Sequence, residues 1–178
     1  HKLIDSVSFD NKAKGIDSNS CPDIQVTNCT TFNNGSYNVA FYTNDAKNTD
    51  FMATGVLSYR TQFTDVEEQF KLLGTQETSK VYNDTNYFWN YVPKAKAVGD
   101  AYNSAVEVDA TWFATENFST GMDYTTHTYA ASPIARNANG TIDMKNVLVL
   151  SSTAKAGAVV KGQASALFTL EGLSMTSG

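Results

Sequence analysis

Residues 1–9 read HKLIDSVSF. Leu3, Val7 and Phe9 fall on one face of an extended segment, and Ile4, Ser6 and Ser8 on the other. That period of two is the pattern of a β-strand with one buried side. A strand at this position needs a neighbour. Either it pairs within its own sheet, or it reaches into the edge of another molecule, since strand addition uses backbone hydrogen bonds and alternate side chains as plugs. The reading of this stretch decides the architecture, and the rest of the chain is read outward from it.

Further short apolar runs of the same kind follow at 37–43 (YNVAFYT), 51–63, 81–92, 102–114, 124–131, 145–152 and 157–171. In AVEVDATWF, Val106, Val108, Ala110 and Trp112 alternate with polar residues, which predicts a half-buried strand. FNNGS, TNDAKNTD, NANG and AKAG are turn sequences between the runs. One helix is expected over TDVEEQFKLLG (64–74): Thr64 with Glu67 makes a capping box and Gly74 a C-terminal stop. Many short strands, turn punctuation and one helix predict an all-β fold, a β-sandwich of jelly-roll or immunoglobulin-like type. No internal repeat is evident. The expected organisation is a strand and tether over 1–20, with DNKAKGIDSNS as the tether, and a sandwich domain over 21–178.

The bulk properties set the class. Charged residues make up 17% of 178 residues and the net charge is −5. Ser, Thr and Asn together exceed a quarter of the chain. This suits an extracellular β-protein, and no Lys/Arg stripe points to nucleic acid. No apolar run is long enough for a membrane-spanning helix. No basic and apolar leader is visible, so His1 reads as a mature start or as the stub of a tag. Cys21 and Cys29 are expected to form a disulfide, worth about 2.5 kcal/mol by loop closure. Five Asn-x-Ser/Thr triplets, at Asn28, Asn34, Asn83, Asn117 and Asn139, are candidate glycosylation sites.

The sequence carries no nucleophile elbow, phosphate loop or dinucleotide fingerprint. Glu107 and Asp109 share a strand face in this reading, which is more often a solvent face than an acid–base pair. His1 and His127 are the only histidines. An N-terminal His with a second His resembles the copper brace of lytic polysaccharide monooxygenases, which makes a copper enzyme acting on polysaccharide one alternative. A carbohydrate-binding module using Trp89 or Trp112 is another. Calcium is the favoured metal, because Asp10, Asp17, Asp45, Asn48 and Asp50 lie in oxygen-rich loops.

In its size, its HKLIDSVSF start, its sequons, its acidic balance and its Ser/Thr/Asn-rich strands, the chain resembles subunits of extracellular archaeal filaments such as cannulae and threads. That resemblance implies a surface filament or tube built from copies of the chain by strand donation, assisted by calcium. Leu3, Val7 and Phe9 would then be the donated plugs.

Overall fold

The computed structural model describes residues 1–21, 23–41, 50–61, 70–72, 80–90, 103–114, 120–132, 134–140, 142–143 and 147–159. Its strands are two to four residues long and stack in rungs. The first rung holds β1 (Lys2–Ile4), β2 (Val7–Phe9) and β3 (Ile16–Asp17). The second holds β4 (Gln25–Thr27), β5 (Thr30–Phe32) and β6 (Val39–Phe41). The third holds β7 (Met52–Thr54), β8 (Leu57–Arg60) and β9 (Phe70–Leu72), and β10 (Tyr87–Asn90) begins a fourth. Each strand pairs in parallel with its counterpart in the next rung. The results are three sheets ordered β1-β4-β7, β2-β5-β8-β10 and β3-β6-β9. The fold is a parallel β-coil, one of the solenoid architectures in which each repeat contacts chiefly its neighbours.

The all-β expectation is met, but the pairings do not draw an antiparallel sandwich. Local alternation sets which side chains share a face, not which strand lies alongside. What bends this chain into a coil is a column of left-handed residues. Asp5, Asn28 and Gly55 follow β1, β4 and β7, with φ of 47°, 50° and 66°. Asp, Asn and Gly are the residues that tolerate this conformation. The bends are tied rung to rung: Asp5 N–H donates to the Thr27 carbonyl (3.1 Å) and Asn28 N–H to that of Thr54 (2.9 Å). A Cβ on Gly55 would lie 2.4 Å from Asn28 Oδ1. A second left-handed column, Asp10 and Asn33, follows β2 and β5. The chain therefore does carry an internal repeat, with IDSV, TNCT and TGVL as equivalent corners.

Two cores lie on opposite faces of the second sheet. Inside the coil, Val26, Cys29, Val39, Phe41, Phe51, Val56, Val81 and Phe88 pack together, and the Phe41 and Phe51 rings stack at 5.2 Å. On the outer face, Phe9, Phe32, Tyr59 and Trp89 form an in-register column. It is covered by Val108, Trp112, Phe113, Val147, Leu148 and Leu150. Tyr59 stacks on Phe113 at 6.0 Å. Burial on both faces is characteristic of parallel sheets. The corner leading to the third sheet is filled by amides. The buried Asn34 donates from Nδ2 to Asn38 Oδ1 (2.9 Å), and Asn38 Nδ2 donates to Ser58 Oγ (3.2 Å) and the Tyr59 carbonyl (3.1 Å).

Several expectations change. Residues 3–9 are two strands with a bend between them. Residues 10–20, expected as a tether, belong to the first rung: Ile16 N–H donates to the Asn38 carbonyl at 2.9 Å and Gly15 N–H to that of Tyr37 at 3.0 Å. The expected helix falls partly outside the described residues, and its Phe70–Leu72 portion is β9. Over 102–114, the described residues form irregular chain and a 3₁₀ turn at Ala110–Trp112, because the Asp109 carboxylate accepts from Thr111 N–H (2.8 Å) and caps it. Val106 is exposed while Val108 is buried, so they do not share a face. The 124–131 segment is a hairpin rather than one strand: β11 (Met122–Asp123) pairs antiparallel with β12 (Thr128–Tyr129). A second small hairpin, β13 (Ala135–Arg136) and β14 (Ile142–Asp143), turns at the expected NANG. Most of 157–171 lies outside the described residues. No helix among the described residues is long and apolar enough to cross a membrane.

Phe32→Ala should cost about 3–5 kcal/mol in urea unfolding, since it removes the centre of the outer column. Gly55→Ala should cost about 1–3 kcal/mol through left-handed strain and the approach of Asn28, whereas Asn28→Gly should be nearly neutral.

Candidate functional site: the open end of the coil

The two ends of the coil differ. At the far end the edges of the first and second sheets are closed by side chains. Asn86 Nδ2 donates to the Ala53 carbonyl at 2.7 Å, and Asn83 Nδ2 adds a bond to the same oxygen at 3.3 Å. Ser104 satisfies Phe88 from both sides: its N–H donates to the Phe88 carbonyl and its Oγ accepts from Phe88 N–H, each at 2.9 Å.

The near end is not closed in this way. Thr30 N–H donates to the Ser6 carbonyl and Asp10 N–H to that of Phe32. Peptide groups of alternate residues point to opposite sides of a strand, so those of Val7 and Phe9 point away from β5, along an edge to which no described strand pairs. The side chains agree. Leu3, Val7 and Phe9 are half-buried, while their register partners Val26, Thr30 and Phe32 are at most 1% exposed.

A cleft of about 870 Å³ runs along this edge. Val7, Ser8, Phe9, Asp10 and Asn11 form one wall, and His127, Thr128, Tyr129, Ser132 and Ile134 the other. Asp10 anchors the second wall. Its Oδ1 accepts from Tyr124 Oη (2.7 Å) and its Oδ2 from Tyr129 Oη (2.9 Å) and from Thr120 Oγ1. Asn33 extends the network, donating from Nδ2 to Tyr124 Oη (2.8 Å) and Thr61 Oγ1 (2.9 Å). Burial, together with donation to the Asp10 carboxylate, pushes both tyrosine hydroxyls well above their ordinary pKa. The β11–β12 turn is shaped by Asp123 Oδ1, which accepts from Thr125 N–H at 2.8 Å. His127 sits at the end of that turn with φ of 53°, and its Nδ1 is buried without a hydrogen-bond partner.

The sequence-derived sites are redistributed. Leu3, Val7 and Phe9 do not share one face: Leu3 packs against the inner core, Val7 and Phe9 against the outer cluster, and all three lie in strands paired to the second rung rather than in a free donor strand. The calcium candidates within the described residues do not converge. Asp10 is occupied by three hydroxyls, Asp17 pairs with Lys14 at 3.0 Å and Asp50 pairs with Lys80. Asp45 and Asn48 lie outside the described residues. No group of three or more acidic, His or Cys residues placed to hold a metal ion occurs among the described residues. His1 heads β1, with its carbonyl accepting from Gln25 N–H, whereas His127 lines the cleft beside β2.

Cys21 and Cys29 are free thiols, not a disulfide. Cys29 is buried in the coil with Sγ donating to the Thr27 carbonyl (3.3 Å), and Cys21 Sγ donates to Asp23 Oδ1 (3.2 Å). Among the sequons, Asn34 is 0% exposed and its amide is fully used by Asn11, Asn38 and Ser8, so it has no room for a glycan. Asn28 and Asn139 are exposed, Asn83 is partly buried and Asn117 lies outside the described residues. Trp112 is core, and Trp89 packs half-buried against the outer cluster. Sequence reasoning missed Asp10 as an anchor for Tyr124 and Tyr129. No local signal joins residues more than a hundred positions apart.

Burial raises the Cys29 thiol pKa. Iodoacetamide at pH 8 should therefore label Cys21 and spare Cys29, giving one adduct in the folded protein and two after denaturation, read by mass spectrometry. The tyrosines predict an alkaline limit. Their folded pKa exceeds the unfolded value near 10, so above that pH the unfolded chain loses these protons while the folded chain retains them. Stability from this network is then full below pH 10 and falls as pH rises further. Tyr124→Phe should flatten that decline in alkaline urea titrations.

Scans of protein-family models, of curated proteins and of solved structures find no match to this chain.

Proposed function

We propose that this chain is a structural β-coil module of an extracellular assembly, joined end-on by taking up a β-strand along the open edge of β2. The observation that carries this reading is the paired deficit at one end: peptide groups of Val7 and Phe9 without a partner among the described residues, and half-buried side chains whose second-rung partners are fully covered. An unmanaged sheet edge is a template for pairing, and native proteins blunt such edges or cover them. Here the opposite end is blunted by Asn83, Asn86 and Ser104, and this one is left open among the described residues. The first strand is thus an acceptor in this reading, the reverse of the donor role expected from sequence. The low charge and abundant hydroxyls support an extracellular setting, whereas the free thiols withdraw the disulfide as an argument for it.

The side chains of the cleft favour a second reading. Ser8, Asn11, His127, Thr128 and Ser132 offer hydroxyl, amide and imidazole groups beside the Phe9 ring, a lining that suits a polyhydroxylated saccharide.

The two readings separate in one set of measurements. Strand uptake predicts slow hydrogen exchange at the Val7 and Phe9 amides in the assembled state. It also predicts that Phe9→Lys, which places a charge on the edge, weakens association about tenfold or more without unfolding the coil. Calorimetric titration with neutral and acidic oligosaccharides should give no heat. Free exchange at both amides in every state of the protein would remove the strand-uptake reading, and saturable oligosaccharide binding abolished by His127→Ala would replace it.

A further inference from the structure

The hairpin that supplies the second wall of the cleft is attached to the coil by polar contacts. Its strands pair with each other, Met122 with Tyr129 and Asp123 with Thr128. Among the described residues, none from 120 to 134 joins either hydrophobic cluster, whereas the 108–113 and 147–150 segments cover the outer face through theirs. Thr120 is buried, and the other described residues up to Ile134 are exposed or half-buried. The described hydrogen bonds that tie this segment to the coil converge on two coil residues. Asp10 accepts from Thr120, Tyr124 and Tyr129, and Asn33 donates to Tyr124.

Those two residues occupy equivalent corners. Phe9 pairs in register with Phe32, and the residues that follow them, Asp10 and Asn33, are both left-handed, with φ of 51° and 47°. The backbone of this corner therefore accepts Asn. What Asp adds in the first rung is a charged acceptor. Both of its oxygens are filled by hydroxyl donors, a set that suits an ionised carboxylate, which is acceptor only. Tyr124 Oη already accepts from Asn33, which leaves its own proton for Asp10.

Hydrogen bonds to an ionised group are about twice as strong as neutral ones. A proton on Asp10 removes that advantage and sets a new donor among three others, so at least one hydroxyl has to turn round or leave. The titratable groups facing the carboxylate are Tyr124 and Tyr129, and both stay protonated from neutral pH into acid. Asn33 and Thr120 carry no charge. Asp123 and His127 stand on the same hairpin without bonding to Asp10: Asp123 accepts from Thr125 and Thr126 N–H, and His127 lines the cleft.

We propose that the 120–134 segment is a flap on the cleft, latched to the coil by the ionised Asp10 carboxylate and released when Asp10 is protonated. Release widens the cleft and leaves the coil folded, because the ladder bond from Asp10 N–H to the Phe32 carbonyl does not involve the carboxylate. Access to the cleft is thereby acid-sensitive, whichever occupant it takes.

Spin labels at Ala130→Cys and Lys12→Cys, both exposed positions, report the distance from flap to coil in a Cys21→Ser background in which Cys29 is buried. The carbon signal of the Asp10 carboxyl reports its protonation by NMR, and near-ultraviolet circular dichroism reports the coil. The expected result is one narrow distance at neutral pH in this background, and an open population at least about tenfold larger in Asp10→Asn at the same pH. Acid should open the background protein in step with the Asp10 signal and change Asp10→Asn no further, with the dichroism retained in both. Tyr129→Phe removes one donor without touching the corner and should open the flap part of the way. A closed flap in Asp10→Asn at neutral pH overturns the proposal, and so does acid opening that follows the His127 ring signals instead. Should Asp10→Asn lose the dichroism of the coil, Tyr129→Phe decides, and a distance unchanged from the background overturns the latch.

Discussion

The in-register parallel ladder is the interaction on which everything else in this protein rests. It requires each rung to bring a strand back above its predecessor at the sheet spacing, and so it needs corners of fixed geometry. Asp5, Asn28 and Gly55 supply one corner and Asp10 with Asn33 another, all in the left-handed region. Once those corners align, side chains at equivalent positions stack on one another. The aromatic column Phe9, Phe32, Tyr59 and Trp89 follows, and so do the amide ties of Asn34 and Asn38. Repetition turns a weak local preference into a cooperative one.

A ladder has ends, and the ends are where function enters. Interior rungs satisfy each other, whereas a terminal rung must be capped, covered or used. This coil caps its far end with short polar side chains and covers the outer face of its second sheet with the 108–113 and 147–150 segments. The open end receives only partial shelter from the β11–β12 hairpin. Asp10 holds that hairpin in place with hydroxyl donors from Thr120, Tyr124 and Tyr129. A carboxylate 6% exposed is tolerated there because three donors replace its hydration. The same residue thus ends the second strand of the first rung and sets the width of the cleft.

The fold and the cleft were legible to different degrees. Strand positions were readable: β6, β7, β8 and β10 fall inside runs picked out by alternation and β-branched or aromatic content. The all-β class followed from them. The corners were also present in the sequence, as an Asp, Asn or Gly after the first strand of each rung, but they look like ordinary turn residues until the rungs are overlaid. The segment around Val106–Trp112 misled because its period of two was real while Asp109 captured the local backbone into a 3₁₀ turn.

By itself, then, the sequence determined where much of the backbone runs extended and which residues could turn left-handed, but not that the bend at Asp5 sends Leu3 to the inner core and Val7 and Phe9 to the outer cluster. Only the tertiary structure decided which strand lies beside which. Pairing is a relation between segments tens of residues apart, and alternation is blind to whether the neighbour is parallel or antiparallel. The same holds for Asp10 with Tyr124 and Tyr129, and for the fate of Asn34 and Cys29. Burial is a property of what surrounds a residue in space, and no window along the chain contains it.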